Sequence, residues 1–287
     1  MEARLSSGAL AAACRLDERV AAWAARQGRW ATCLHEFACF GAKQASACLF
    51  GGCMLLLLAL TWAFYPRGCA LARYDFLTLA ALAIQCLLLA TKLETREEAR
   101  VILLFHGVGT AMEVFKTAMG SWVYPEYALL RIGGVPLFTG FMYGSIGSYI
   151  ARAWRLFDFQ FTRHPPMAWT AALALAIYAN FFTHHFLPDM RIVLFAAVAL
   201  LFGRTWIHFR IRRLHRRMPL LLGFGLVATF IWIAENIGTF TAAWRYPAQH
   251  AGWVMVPLAK LGAWFLLMII SYVMVSAVAL RRSARSE

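Results

Sequence analysis

The chain has 287 residues, of which 61% are Ala, Val, Ile, Leu, Met, Phe, Trp, Tyr or Cys, and its mean hydropathy is +0.61. That apolar share exceeds the roughly 45–50% of an ordinary soluble domain and excludes one. Lys and Arg number 28 against 14 Asp and Glu, a formal charge of +14, but they punctuate long apolar runs instead of gathering on one soluble face, so nucleic acid is not an expected partner.

Seven cysteines fall between Cys14 and Cys86 without a CxxC pair. Neither a zinc site nor a disulfide framework is supported, and they read as small buried hydrophobes. A charged stretch of more than forty residues precedes the first apolar run, so no cleavable signal peptide is expected.

In chain order, residues 1–44 come first as a cytoplasmic segment. Leu16, Val20, Trp23, Trp30, Leu34 and Phe37 recur there at helical spacing, with Arg15, Arg19 and Arg26 off the stripe. This predicts an amphipathic helix that either lies on the inner leaflet or caps the bundle. Residues 45–287 form a single transmembrane domain. A lipid-exposed backbone must satisfy its own hydrogen bonds, so each apolar run of about 20 residues predicts a spanning helix. Eight are marked: Ala45–Tyr65, Phe76–Thr91, Val101–Met119, Gly134–Ala153, Met167–Leu187, Arg191–Phe209, Met218–Gly238 and Trp253–Leu280. The fold class expected is an all-α integral membrane protein.

With both termini inside, the inner segments carry twenty Lys and Arg residues. The outer ones hold five, Arg67, Arg73, Arg131, Arg191 and Arg245. Basic residues are retained in the cytoplasm, which sets the orientation and favours an even number of crossings.

Glu113, Thr117, Trp122, Tyr124 and Pro125 are matched by Glu235, Thr239, Trp244, Tyr246 and Pro247, both reading E-x3-T-x4-W-x-Y-P at an offset of 122 residues. Val135-Pro136-Leu137 corresponds to Val256-Pro257-Leu258, Ser148-Tyr149 loosely to Ser271-Tyr272, and Pro66 and Pro188 are also 122 apart. Two parallel four-helix halves follow, about 45–160 and 167–280, related by an axis along the membrane normal. An aromatic belt would account for W-x-Y-P alone. It does not account for a glutamate and a threonine four residues apart on one face of a membrane helix in both copies.

A carboxylate near the bilayer centre costs roughly 2.5–3.5 kcal/mol, so Glu113 and Glu235 lead the candidate catalytic residues, with His106 as a proton partner. At about 1.5 Å per residue they sit roughly 18 and 26 Å from the inner boundary, facing a shared chamber, one protonated and one charged. Candidate substrate contacts are Thr117, Lys116, Trp122, Tyr124, Tyr143, Asn236, Thr239, Trp244, Tyr246 and Lys260. Lys116 is aligned with Gly238 and either pairs with Glu113 or leaves it free, and Lys260 could serve Glu235 similarly. His184, His185 and Asp189 end the fifth span, but their spacing does not favour a metal site. Arg204, Thr205 and His208 are expected to snorkel from the inner end of span six. Tyr143, Ser145, Ser148 and Tyr149, with Gly140, Gly144 and Gly147, give the fourth span a small and polar face suited first to close helix packing.

The run Phe105-His106-Gly107-Val108-Gly109-Thr110-Ala111-Met112-Glu113-Val114-Phe115-Lys116, then Gly120-Ser121-Trp122, Tyr124-Pro125, Arg131-Ile132-Gly133-Gly134-Val135-Pro136-Leu137 and Gly140-Phe141-Met142-Tyr143, resembles the bacterial membrane proteins grouped as domain of unknown function 817. Ala234-Glu235-Asn236-Ile237-Gly238-Thr239-Phe240 and Trp244-Arg245-Tyr246-Pro247 fit the same family. The resemblance implies a multi-pass protein of the bacterial inner membrane and carries no activity with it.

A fainter similarity links Glu113, Gly120, Tyr124 and Gly134 to Leu137 with bacterioruberin-type hydratases and small lycopene cyclases, whose chemistry protonates or hydrates an isoprenoid double bond. Lys116 departs from that pattern. The expectations are, in order, an acid/base enzyme on a lipophilic substrate such as an isoprenoid, a proton-coupled carrier, and a structural membrane protein. The partners expected are the lipid bilayer and a lipophilic small molecule; no cofactor is specified.

Overall fold

The computed structural model describes residues 2–66, 68–212 and 215–283, with side chains described from 15 to 278 outside those breaks. The side chains of Arg4, Cys14, Arg67, Arg213, Arg281, Arg282 and Arg285 lie outside the described residues. Ten α-helices are present among the described residues: α1 (Glu2–Gln27), α2 (Arg29–Ala47), α3 (Leu49–Phe64), α4 (Arg73–Ala90), α5 (Arg96–Ala118), α6 (Phe138–Phe157), α7 (Met167–Thr183), α8 (Arg191–Phe202), α9 (Leu220–Phe240) and α10 (Ala259–Ser283).

Helices α3 to α10 occupy the eight apolar runs. Four of them, α4, α5, α9 and α10, are long and apolar enough to cross a membrane, and a fifth span is available if α2 and α3, bent by 69° at their junction, act as one. Helix α8 has twelve residues, about 18 Å against a hydrocarbon core of about 30 Å. The protein is thus mostly helical, with several helices compatible with membrane insertion.

The fold is not purely helical. β1 (Arg131–Ile132) and β2 (Val135–Pro136) form a small hairpin, and β3 (Gln160–Thr162), β4 (Trp206–Arg210) and β5 (His215–Pro219) form an antiparallel sheet in the order β3-β4-β5. The sheet corrects the end expected for the sixth apolar run, Arg191–Phe209. Helix α8 stops at Phe202 and the chain re-enters as a strand, pairing Phe161 with Ile207 and Ile207 with Met218. The basic residues from 208 to 217 have no place in hydrocarbon, whereas the alternating Trp-Ile-His-Phe-Arg pattern suits a half-buried strand. His208 and Thr205 do not snorkel from a helix: His208 Nε2 lies 3.1 Å from the Thr162 hydroxyl, and Thr205 donates to the Arg163 carbonyl.

The N-terminal segment is two helices, since Gly28 takes φ 106° between them, a conformation open to glycine at little cost. Their stripe remains exposed, with Trp30 at 89% and Leu34 at 70%. Polar contacts fix this pair to the sheet end of the bundle. Lys43 Nζ donates to the carbonyls of Leu156 and Arg210 at 2.7 and 2.9 Å, and Arg216 pairs with Glu36. The cysteines are less enclosed than expected: Cys33, Cys48, Cys69 and Cys86 are exposed, and Cys39 and Cys53 are half-buried.

Helix α5 opens on a capping box between Thr95 and Glu98, which satisfies two orphan donors of its first turn. Its closest packing is against α6. A Cβ on Gly109 would lie 2.5 Å from Tyr143 Cγ, so only glycine lets the Tyr143 ring lie on α5. Gly109→Ala is expected to displace that ring and destabilise the protein by about 1–3 kcal/mol. Thermal unfolding in detergent micelles measures the cost; an unchanged midpoint would contradict the packing.

Candidate functional site

Both motif glutamates are buried, Glu113 at 5% exposure and Glu235 at 4%. Glu113 lies seventeen residues into α5 and Glu235 fifteen into α9, so both sit about 23–26 Å along their helices. Counted from the observed helix starts, their depths are more alike than the apolar runs suggest.

Each carboxylate is met by aromatic donors. Glu113 accepts from Trp122 Nε1 at 2.7 Å, from the Tyr143 hydroxyl at 2.8 Å and from the Tyr124 hydroxyl. Glu235 accepts from Trp264 Nε1 at 2.6 Å and from the Tyr246 hydroxyl. Trp122 and Tyr124 thus fold back on Glu113, and Tyr246 alone of the second motif folds back on Glu235, eleven residues from Glu to Tyr in both cases. A buried carboxylate without partners is far costlier than one with its lone pairs engaged, which gives these rings a physical role beyond an interfacial belt.

The two sets also meet each other. Val123 and Arg245 exchange backbone hydrogen bonds of 2.9 Å in an antiparallel bridge, joining the W-x-Y-P loops. Trp122 packs edge-on against Tyr246 at 5.9 Å between ring centres, and Tyr143 approaches Trp264 at 6.4 Å. The Lys260 ammonium lies over the Tyr246 ring at 4.4 Å and the Trp122 ring at 5.4 Å, a cation–π arrangement. What separates the carboxylates is therefore packed aromatic side chain. An aromatic-lined cavity of about 70 Å³ lies elsewhere, at the sheet end, among Phe40, Tyr149, Trp154, Phe224 and Tyr272.

Several candidate residues take other roles. Lys116 turns away from Glu113: its Nζ lies 3.2 Å from His184 Nε2 and 2.9 Å from His185 Nε2, over the Phe181 ring. At His185, burial and then the neighbouring Lys116 ammonium push the imidazole pKa down, which keeps a ring nitrogen free to accept from the lysine. Asp189 joins Asn180 and Arg191 rather than a metal ligand set. Burial pushes its carboxyl up, but hydrogen bonds from Arg191 and Asn180 outweigh it and hold the group below the usual range.

His106 does not hydrogen-bond Glu113. It packs on the Phe141 ring at 4.7 Å, and its Nδ1 is buried without a hydrogen-bond partner. The Thr117 hydroxyl is likewise buried and unpartnered, whereas Thr239 donates to the Asn236 carbonyl and accepts from Trp253 Nε1. Asn236 serves the backbone, its side-chain amide donating to the Trp232 carbonyl and its oxygen accepting from Val256 N.

The two copies diverge at one tryptophan. A Cβ on Gly238 would stand 2.1 Å from Trp244 Cη2, so the indole lies directly on the glycine that is aligned with Lys116. Trp244 is thereby engaged, and the indole that donates to Glu235 comes from Trp264 on α10. Trp264 escapes sequence reasoning because it lies outside the repeated motif and one more tryptophan in an apolar helix carries no signal.

A family profile described as "Protein of unknown function (DUF817)" matches residues 36–272. The chain belongs to the DUF817 family. It is similar to the "Uncharacterized protein YoaT" of Bacillus subtilis (strain 168), 44% identical over 239 residues, which cover 83% of this chain and 90% of the relative. Among solved structures, a cross-linked MvINS trimer aligns with a TM-score of 0.48 and 13% identity, covering 66% of this chain and 97% of that one.

Glu113→Leu would leave the Trp122, Tyr124 and Tyr143 donors without their acceptor. The expected loss is about 1–3 kcal/mol for each donor that finds no substitute, with Glu113→Gln milder because one amide oxygen still accepts. Thermal unfolding of the two variants in micelles checks the order, and equal midpoints would contradict it.

Proposed function

We propose that this DUF817 protein is a membrane-embedded enzyme performing acid/base chemistry on a lipophilic substrate, with Glu113 and Glu235 exchanging the proton. What supports the reading is that two buried carboxylates, each held by Tyr and Trp donors, stand near helix ends whose following loops are joined by the Val123–Arg245 bridge. A glutamate held this firmly presents a fixed lone pair to an entering group, which is what proton transfer at carbon requires. The surrounding rings suit a cationic centre, since Lys260 places an ammonium over two of them. An isoprenoid that develops positive charge on protonation has matching chemistry. Trp253, Val254, Met255 and Leu258, exposed ahead of α10, offer an apolar approach from lipid.

In this reading α3 to α10 form eight spans in two parallel halves, with the bacterial inner membrane as location and both termini in the cytoplasm. The E-x3-T-x4-W-x-Y-P motif closes the third helix of each half, which supports the duplication. A second reading, a proton-coupled carrier, draws on Lys116, His184 and His185, a polar group at the same end of the bundle as the glutamates.

Deletion of the gene is expected to alter the cellular lipid-extract profile, with wild type but not Glu235→Gln restoring it. An unchanged profile would sink the enzyme, while proton-driven flux in proteoliposomes that is lost in Glu113→Gln would establish the carrier. Full complementation by both Gln variants would leave the glutamates a packing role. Orientation is tested in spheroplasts with a membrane-impermeant maleimide: Cys69 should react and Cys33 should not, and the reverse pattern would overturn the topology.

A further inference from the structure

The N-terminal helices bring together three donors of different chemistry. Gly28 folds α2 back along α1, placing Asp17 of α1 against His35 and Cys39, which stand one turn apart on α2. His35 Nε2 lies 3.1 Å from Asp17 Oδ1, Cys39 Sγ lies 3.5 Å from the same oxygen, and the sulfur and imidazole nitrogen are 3.6 Å apart.

Two of those separations match one face of a zinc tetrahedron, and the third, His35 to Asp17, is shorter by about 0.2 Å. With Zn–O and Zn–N near 2.0–2.2 Å and Zn–S near 2.3 Å, tetrahedral geometry sets the ligand atoms about 3.3–3.6 Å apart. The point in their plane equidistant from the three atoms lies about 2 Å from each, so an ion displaced slightly out of that plane toward solvent stands at zinc–ligand distance from all three. The second carboxylate oxygen is already occupied: Arg212, from the β4–β5 connection, donates to Oδ2 from Nε at 2.7 Å and from Nη2 at 2.5 Å. An outer hydrogen bond of that kind orients a ligating carboxylate and leaves its other oxygen for a metal.

We propose that Asp17, His35 and Cys39 form a zinc site with its fourth position open to solvent. The donor set selects the ion: a thiolate and an imidazole favour zinc over magnesium or calcium, which prefer oxygen ligands. Charge balances at the site, because carboxylate and thiolate together neutralise the divalent cation. The thiol proton, which in the metal-free arrangement is donated to Asp17 Oδ1, passes to solvent as the metal–sulfur bond forms. Asp17 is 40% exposed, which gives the ion an entry path and a water a place at the fourth position. Zinc bound there would cross-link α1 to α2 and, through Arg212, hold both to the sheet. The site is independent of the glutamate pair and of the activity proposed for it.

The test uses the full chain, purified with chelator and kept in detergent. Titration with Co²⁺ should give a thiolate-to-cobalt absorption band saturating at one equivalent and displaced by Zn²⁺. The band should vanish in Cys39→Ser, and affinity should fall about 10–100-fold in Arg212→Gln as an outer-shell partner is lost. In the unaltered chain, Zn²⁺ should also protect Cys39 from alkylation while leaving Cys33 reactive, a measurement that does not depend on a variant folding. Absence of the band in wild type, its survival in Cys39→Ser, or equal alkylation of Cys39 with and without Zn²⁺ would each overturn the site.

Discussion

Two carboxylates set in apolar helices impose the central constraint on this molecule. Each must be supplied with donors or be expelled, because an unpartnered buried carboxylate costs more than most single packing contacts return. The chain meets the demand by folding the W-x-Y segment after each motif helix back onto the glutamate that precedes it. Once both segments are so held, their backbones lie within reach and pair at Val123 and Arg245. The glutamate contacts therefore contribute to the shape of the end of the bundle as well as to any chemistry done there.

Specialisation of the copies follows from one small position. Where Lys116 stands in the first motif, glycine stands in the second, and the Trp244 indole takes the space a side chain would need. That engages the motif tryptophan and passes the donor role to Trp264. In the first copy Lys116 has instead turned toward His184 and His185, on the connection that follows α7. One substitution pair thus gives two carboxylates with the same acceptor role and different neighbours. In the proposed function that difference is what would let the two groups divide a proton-transfer task.

The opposite end of the molecule is organised by ordinary soluble-protein means. A three-stranded sheet, a bent pair of amphipathic helices and several ion pairs assemble below the apolar bundle. Strands form there because the chain between α8 and α9 is too basic to remain in hydrocarbon and too rich in β-branched and aromatic residues to stay a loop. The apolar stripe of α1 and α2 remains exposed, as a face that lies against lipid would be.

Composition and periodicity by themselves determined the membrane-compatible helical character, the approximate places of the apolar helices and the occurrence of Glu113 and Glu235 in one recurring sequence motif. Those properties depend on local hydropathy and on a repeated motif, both written along the chain. The family was legible for the same reason, since its motif residues are contiguous in sequence. Tertiary structure alone decided which side chains serve the carboxylates. Trp264 lies 29 residues from Glu235, the Lys116 partners lie 68 and 69 residues away, and a helical histidine at His106 turned out to face Phe141. It also decided that a predicted span ends in a sheet and that Asp17 meets His35 and Cys39, because contacts across long loops depend on how elements pack and leave no period in the sequence.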